Sequence, residues 1–505
     1  MKNTIGLLAV FLFALPSFAA EYIVKYSNPY SVQGFQSTRA LQIMDVHTDA
    51  QLMKVNIPNS QKLVSLVQLL SDPNVEYVVP NARLQMYQPI EGKTLKQQWA
   101  LDKIQASKAW ERAGNKGSRN VVIAVIDTGV DKTHPALQPN TVAGYDFAAN
   151  DDDPMDEVGT GPQQNPGHGT HCAGIIGSTG LVDGGTSGIS PEISIMPIRF
   201  LDKTGGGDLY NAVKSIDYAI QKKVDVMSAS WGMTVPAGQE SQIAPVLEAI
   251  GRAEQAGIVF VVAAANDGKN NDTVNVQPAN APYTNVISVA ASDLNDKKPS
   301  WSNYGKGKVS LASPGADIMS TLPGNQYGNL SGTSMATPLV AGLVGLIKSQ
   351  DKSLSPTQIK SLLQATGDKV DISTACDCRI DAFNAIDMVE SKTMFVSPFA
   401  GTVELGKTQQ FEAVYAKGAV QFTSSNPSAA TIDSKGVLTA VAEGETQITA
   451  KDASGKTSTS HAIYIGKAPS GGGGGTPGGG SCPLGDQAAC DALCQILPSH
   501  PWCKQ

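Results

Sequence analysis

Between about residues 96 and 390 the sequence alternates between short, almost wholly apolar runs and longer amphipathic ones. NVVIAVID, SIMPIRFLD, VDVMSASWG, GIVFVVAAAN and NVISVAA have the length and β-branched content of strands, without the polar alternation of a half-exposed sheet. LYNAVKSIDYAIQKK and APVLEAIGRAEQAG, lying between them, carry apolar residues at helical spacing. Strands with no polar face need cover on both sides, and interleaved helices supply it. The pattern predicts an α/β domain with a parallel sheet flanked by helices. Such sheets bind ligands at the carboxyl ends of their strands. The polar residues that close these runs are therefore the first candidates for chemistry.

The flanking segments have other textures. MKNTIGLLAVFLFALPSFAAE places Lys2 before an apolar core from Ile5 to Leu15, with Ser17 and Ala19 preceding a cut before Ala20. Residues 1–19 read as a secretory signal peptide, and no other stretch has the roughly 18 unbroken apolar residues of a membrane span. The expectation is a secreted, extracellular protein exported through the Sec pathway. Residues 20–95 form a separate module: EYIVKY and NVEYVVPNARLQMY read as strands, and NSQKLVSLVQLL sets Leu63, Leu66, Val67 and Leu70 on one helical face. An α+β unit follows. From 391 to 466, short β-segments with regular turn signals predict an all-β sandwich. Residues 467–481 are a Gly-rich linker, and 482–505 a Cys-rich tail in which four of the seven cysteines could form two disulfides in three possible connectivities. Seven is odd, so at least one thiol stays unpaired or bonds another chain. A formal net charge of −7 over 505 residues gives no sign of a nucleic-acid partner.

Three segments lie at strand or helix boundaries within the α/β region. VVIAVIDTGVD ends its apolar run on Asp127, NPGHGTHCAGIIG sets His168 before a buried-looking helix, and NLSGTSMATP sets Ser334 at the mouth of another. Singly, each has an ordinary reading as a turn former, a structural histidine or a helix cap. Together they supply a carboxylate, a base and a nucleophile, the set that acyl transfer requires.

AVIDTGVD, GHGTHCAG and GTSMATP resemble the three signature segments of the subtilisin-like serine proteases (subtilases), and HGTHCAG is similar to their proteinase K and thermitase branches. The resemblance spans nearly all of residues 96–390. It implies a serine endopeptidase acting on polypeptides through an acyl-enzyme, with Asp127 orienting, His168 as general base and acid, and Ser334 as nucleophile. It implies Asn266 of VVAAANDG as an oxyanion donor, preceded by Ala265 where the family usually has glycine. Ser230, Trp231 and Gly232 of SASWG resemble the strand that pairs with an extended substrate. Residues 20–95 resemble the family's inhibitory propeptide, implying an autoprocessed zymogen cut within RLQMYQPIEGKT. The 391–466 segment resembles bacterial Ig-like domains of group 2, implying surface or glycan contact or a passive spacer. Asp146, Asp151 and Asp153, with Asp156 nearby, form either a structural calcium site, as in thermitase-like relatives, or a solvated acidic loop; Ala136 stands where another common calcium ligand would be. Cys172 is expected to be a free, buried thiol, and His171 to be structural. Cys376 and Cys378 either bond each other or stay reduced.

An α/β-hydrolase esterase would need Gly-x-Ser-x-Gly and the order Ser, Asp, His, and GTSMA meets neither condition. A non-catalytic adhesin on a decayed scaffold should lack Asp127, His168, Ser334 or Asn266, and none is missing.

Overall fold

The computed structural model describes residues 21–27, 41–91, 98–161, 164–180 and 185–468. The signal segment, nearly all of the Gly-rich linker and the Cys-rich tail lie outside them. The chain divides into two compact units. One holds residues through Ala82 with the short segment Gly238–Gln242, and the other begins at Arg83.

In the first unit, strands Glu21–Tyr26, Gln42–His47, Leu52–Asn56 and Val75–Pro80 form an antiparallel sheet with the first strand between the third and the fourth. Leu66 and Leu69 of the helix Lys62–Leu70 join Tyr22, Val24, Met53, Val55 and Val78 in one core. The stretch NVEYVVPNARLQMY is not one strand. Val75–Pro80 stays in this sheet, while Arg83–Met86 belongs to a sheet of the second unit. The break is local: the Asn81 N–H still reaches Glu21 O, but the Ala82 N–H turns back on Pro80 O and ends the ladder.

The second unit is built on a nine-stranded sheet. Its spatial order is Asp368–Lys369, Cys378–Arg379, Leu311–Pro314, Val286–Ser292, Val259–Ala263, Val226–Ala229, Val122–Asp127, Ser194–Arg199 and Tyr145–Asp146. All neighbours pair in parallel except Asp368–Lys369, which runs antiparallel to Cys378–Arg379. The expected parallel sheet thus carries one antiparallel edge. Where the connection of that edge pair enters its second strand, Cys376 and Cys378 are placed as a disulfide.

From Val122–Asp127 the chain visits one side of the sheet, then crosses to the other side at Val226–Ala229. The strand order reverses between these two neighbours, which opens a crevice at their carboxyl ends. The helix Thr333–Gln350 is buried from Thr333 to Lys348 and packs against the strands on both sides of that crevice. A helix apolar all round belongs inside a domain. Its amino terminus opens into the crevice.

Beyond the helix Ala382–Glu390, short strands from Phe395–Ser397 to Ile463–Ile465 form two- and three-stranded sheets around Phe411, Leu438, Ile448, Ile463 and Ile465. Among the described residues, no helix is long and apolar enough to cross a membrane.

Candidate active site

Asp127 is the last residue of its strand and is buried. One carboxylate oxygen, Oδ1, accepts the Thr128 N–H at 2.8 Å and faces His168 Nδ1 at 2.7 Å. His168 opens the helix His168–Gly177, whose cap residue, Gly167, has no side chain to offer. Residues from the preceding loop satisfy the exposed amides instead. Asn165 Oδ1 accepts from Gly167 and His168, while Asp156 Oδ2 accepts from the Thr170 N–H and hydroxyl. Burial pushes the Asp156 carboxyl up to about 6, against these hydrogen bonds. Asp156, the last aspartate of the acidic loop, thus works as a helix cap.

Burial opposes charge on the His168 ring, but the Asp127 carboxylate outweighs it and pushes the imidazole well above its usual value. Burial also pushes the neighbouring Cys172 thiol up, so Cys172 stays neutral and Asp127 supplies the effective charge. Cys172 is free and buried, as expected. His171 Nε2 pairs with Gly328 O at 3.0 Å, and burial lowers its ring to about 3. That ring is neutral and structural.

Ser334 lies in the first turn of its helix, where backbone N–H groups have no partner within the helix. Pro338, four residues on, has no N–H to give the Ser334 carbonyl. Two side chains take its place: Ser230 Oγ at 3.0 Å and Cys172 Sγ at 3.5 Å. Ser230 and Cys172 thus fix the backbone of Ser334. The Ser334 hydroxyl is directed at Tyr87 O at 3.4 Å and Ser230 O at 3.3 Å. His168 Nε2, buried, has no hydrogen-bond partner among the described residues. Transfer of the serine proton requires the hydroxyl to turn from these carbonyls to Nε2.

Asn266 faces the same point from the loop after Val259–Ala263. Its Oδ1 accepts the Thr333 N–H and hydroxyl, both at 2.9 Å, which leaves Nδ2 aimed into the cleft. Nδ2 reaches Gln88 O at 3.3 Å. A Cβ on Gly332 would come within 3.1 Å of that nitrogen, so the glycine keeps space for the donor. Ala265 holds φ +89°, so the loop keeps the turn that glycine would adopt freely.

Ser230, Trp231 and Gly232 line one wall through their backbones. Trp231 pairs with Met86 and Gly232 with Gln85, and Ser230 O accepts the Tyr87 N–H at 3.3 Å. The Trp231 side chain points away, fully buried, with Nε1 on Ile126 O and the ring against Phe200. The opposite wall, Gly206–Asp208, pairs with Arg83–Gln85 and was not read from the sequence as part of the site. Thr333 was missed as well, for a hydroxyl beside Ser334 has no signature that separates it from a cap.

The acidic loop is ion-paired. Asp146 Oδ2 meets the buried Arg199 guanidinium at 2.7 Å, and its Oδ1 accepts the Ala148 and Ala149 N–H groups. Asp153 pairs with Lys132 at 2.8 Å, and Asp151 accepts the Asp153 N–H. Among the described residues the one set that brings three ligand-type side chains within 4.8 Å is Asp127, His168 and Cys172, at the crevice rather than in this loop. As arranged, Asp146, Asp151 and Asp153 do not converge on one point, and both Asp146 oxygens are already met by arginine and backbone amides.

Residues 118–379 match the subtilase family, and residues 390–462 match the bacterial Ig-like domain of group 2. Thermitase of Thermoactinomyces vulgaris is 40% identical over 284 residues, which cover 56% of this chain and 93% of thermitase. A thermophilic serine proteinase of Bacillus sp. (strain AK1) is 36% identical over 63% of this chain and 74% of its own length. Subtilisin NAT of Bacillus subtilis subsp. natto is 34% identical over 59% and 72%. Structural calcium is common among subtilases. With an aspartate, a histidine and a serine gathered at the crevice and the family match spanning the domain that holds them, this chain belongs to the subtilase family of serine proteases.

Proposed function

We propose that the chain is exported as a zymogen and becomes a serine endopeptidase for extended polypeptides by cutting itself between Tyr87 and Gln88. The observation that carries this reading is the register of residues 83–87. They run as an extended strand between two others, antiparallel to both, with the Met86 N–H on Gly205 O at 2.8 Å and the Tyr87 N–H on Ser230 O. Backbone pairing of this kind grips any extended peptide, and pockets for alternate side chains add preference. Ser334 Oγ lies 3.4 Å from the carbonyl oxygen of Tyr87, so the Tyr87–Gln88 bond is the one offered to it. The next bond, Gln88–Pro89, would have a proline nitrogen as leaving group.

The Tyr87 side chain fills a pocket whose floor is bare backbone. A Cβ on Gly232 would come within 2.1 Å of the phenolic oxygen. A large aromatic side chain before the cut is therefore accepted because position 232 is glycine. Leu84 is fully buried three residues earlier.

The chemistry follows from the positions. His168 Nε2 takes the Ser334 proton as Oγ attacks the Tyr87 carbonyl carbon, and Asp127 stabilises the resulting imidazolium. The oxyanion falls to the Ser334 N–H and Asn266 Nδ2, so the Tyr87 carbonyl must turn towards the donor that now holds Gln88 O. Return of the proton to the Gln88 nitrogen releases the new amino terminus, and water then frees Tyr87 from the acyl-enzyme. The same steps apply to a peptide in trans.

Intact-mass analysis of wild type and Ser334→Ala, expressed without other proteases, tests the reading. Wild type should release a fragment ending at Tyr87, and Ser334→Ala should persist as a folded precursor, because first cleavage is intramolecular and favoured by proximity. A first fragment with another carboxyl end, or normal trimming of Ser334→Ala, would overturn it. Within this reading export follows from the residue 1–19 signal, and surface or glycan contact is assigned to the Ig-like domain.

A further inference from the structure

Resting on that register, we infer that the cleft carries an acidic subsite that selects an arginine or lysine five residues before the cut. The residue held there in this chain is Arg83. Its guanidinium Nη2 lies 3.0 Å from Asp202 Oδ2 and 2.9 Å from the Thr204 hydroxyl. The two partners belong to the short turn LDKTGGGD that leads into the substrate-pairing strand Gly206–Asp208.

The turn is built to present one free carboxylate oxygen. Asp202 Oδ1 is taken up internally by the Thr204 N–H at 2.8 Å, by the Thr204 hydroxyl and by the Gly206 N–H at 3.4 Å. The backbone closes on itself through Asp202 N–H to Gly206 O and Gly205 N–H to Asp202 O. Oδ2 is left to face the incoming side chain. Gly206 completes the subsite: a Cβ there would stand 2.4 Å from Arg83 Nε and 2.5 Å from Nη2, so the guanidinium lies where any other residue would put a side chain. Asp208, across from Arg83 in the strand pairing, turns its carboxylate to the Asn211 N–H and caps the next helix. Asp202 is therefore the carboxylate that reads this position.

The pair is open to water, with Arg83 56% and Asp202 40% exposed. An exposed ion pair changes affinity modestly, so the preference should be about two- to fivefold and should fade with salt. It is uniform binding, present before and during reaction, and should appear in KM with kcat unchanged.

The test uses the mature enzyme and three chromogenic peptides, X-Leu-Gln-Met-Tyr-p-nitroanilide with X as arginine, alanine or glutamate. The arginine peptide should have the highest kcat/KM and the glutamate peptide the lowest. The order should collapse in about 1 M salt, where the screening length falls to roughly 3 Å. Asp202→Asn keeps the Oδ1 acceptor of the turn and removes the charge, and should equalise the three peptides. The peptide comparison on wild type alone remains decisive if that variant does not fold. Equal kcat/KM for all three on wild type, or an arginine preference that survives in folded Asp202→Asn, would overturn the subsite while leaving the Tyr87 register standing. Failure to release nitroaniline from any of the three would instead count against the register and, with it, the subsite.

Discussion

At the scale of single residues, His168 is governed by two opposed influences. Burial discourages charge on its ring, and the Asp127 carboxylate at 2.7 Å encourages it more strongly. With the neutral ring as the proposed base, kcat/KM for a peptide substrate should rise with pH, with its acid limb centred above the ordinary histidine value of about 6.5. Asp127→Asn should move that limb to lower pH and reduce kcat by about 10⁴-fold, a magnitude taken from triad enzymes of this same family among others. The stability sign is opposite to the activity sign. A raised folded-state value means the ion pair stabilises the fold in full below about pH 6.5 and loses that contribution as pH climbs through the raised value. The alkaline range in which the enzyme is fastest is thus the range in which this pair stabilises it least. Steady-state rates and thermal melts of both proteins across pH check the two signs together, and an unmoved acid limb in Asp127→Asn would remove Asp127 as its cause.

At the scale of elements, the loop carrying Asn266 has no helix or strand of its own to hold it. Buried amides hold it instead. Asn303 Oδ1 accepts the Asp267 and Lys269 N–H groups, Asn303 Nδ2 donates to Asn271 Oδ1, and Asn271 Nδ2 donates to Ala264 O. Asn303→Ala would leave two loop amides without their acceptor, at a cost of about 1–3 kcal/mol for each one that stays buried. It should lower kcat about 10- to 100-fold, part of the roughly 10²–10³ that direct loss of an oxyanion donor costs, with KM little changed. Adding it to Asn266→Ala should bring almost no further loss of kcat, a non-additivity that general destabilisation would not produce. This loop also marks where the sequence stopped being readable. The apolar strands announce themselves because burial on both faces leaves a continuous signal, and Asp127, His168 and Ser334 stand at the ends of such signals. Asn303 and Asn271 lie in irregular backbone, where an asparagine that bridges two segments looks like any turn residue. The same holds for Arg199: the acidic loop was legible as carboxylates, but the guanidinium that neutralises Asp146 arrives from another strand. The break of NVEYVVPNARLQMY at Ala82 was hidden too, because a pairing partner is not encoded in a strand's own alternation.

At the scale of the whole molecule, the Ig-like domain shares a core with the α/β domain rather than hanging from it. Phe395, Ala400 and Val414 are buried in the cluster that also holds Leu354, Ile359, Leu362 and Leu363. Polar contacts close the seam: Ser361 Oγ with Ser397 Oγ at 3.0 Å, Gln358 Nε2 with Glu412 Oε1 at 3.0 Å, and both Lys392 Nζ and Tyr415 OH on Asp351 Oδ2. Every proposed catalytic residue nevertheless lies before Glu390. A chain ending at Glu390 should therefore cut a short peptide at close to the full-length kcat/KM, yet melt on the order of 5 °C lower, since it uncovers apolar surface equivalent to a large side chain or two. The deficit should depend on pH. Burial alone would raise the Asp351 carboxyl, but Lys392, Ser353 and Tyr415 outweigh it and hold it well below the usual range. A depressed carboxylate stabilises the fold above its unfolded value of about 4 and loses that contribution as pH falls through the folded one. Lys392 and Tyr415 leave with the truncation, so the gap in melting temperature between full-length and shortened protein should be widest near neutrality and narrow below about pH 4. Melting curves of the two proteins, taken with the active serine blocked to prevent self-digestion, measure that gap. Identical melting temperatures at neutral pH would make the Ig-like domain a passive spacer, and a loss of peptide hydrolysis above tenfold in the folded truncation would place part of the catalytic machinery beyond Glu390.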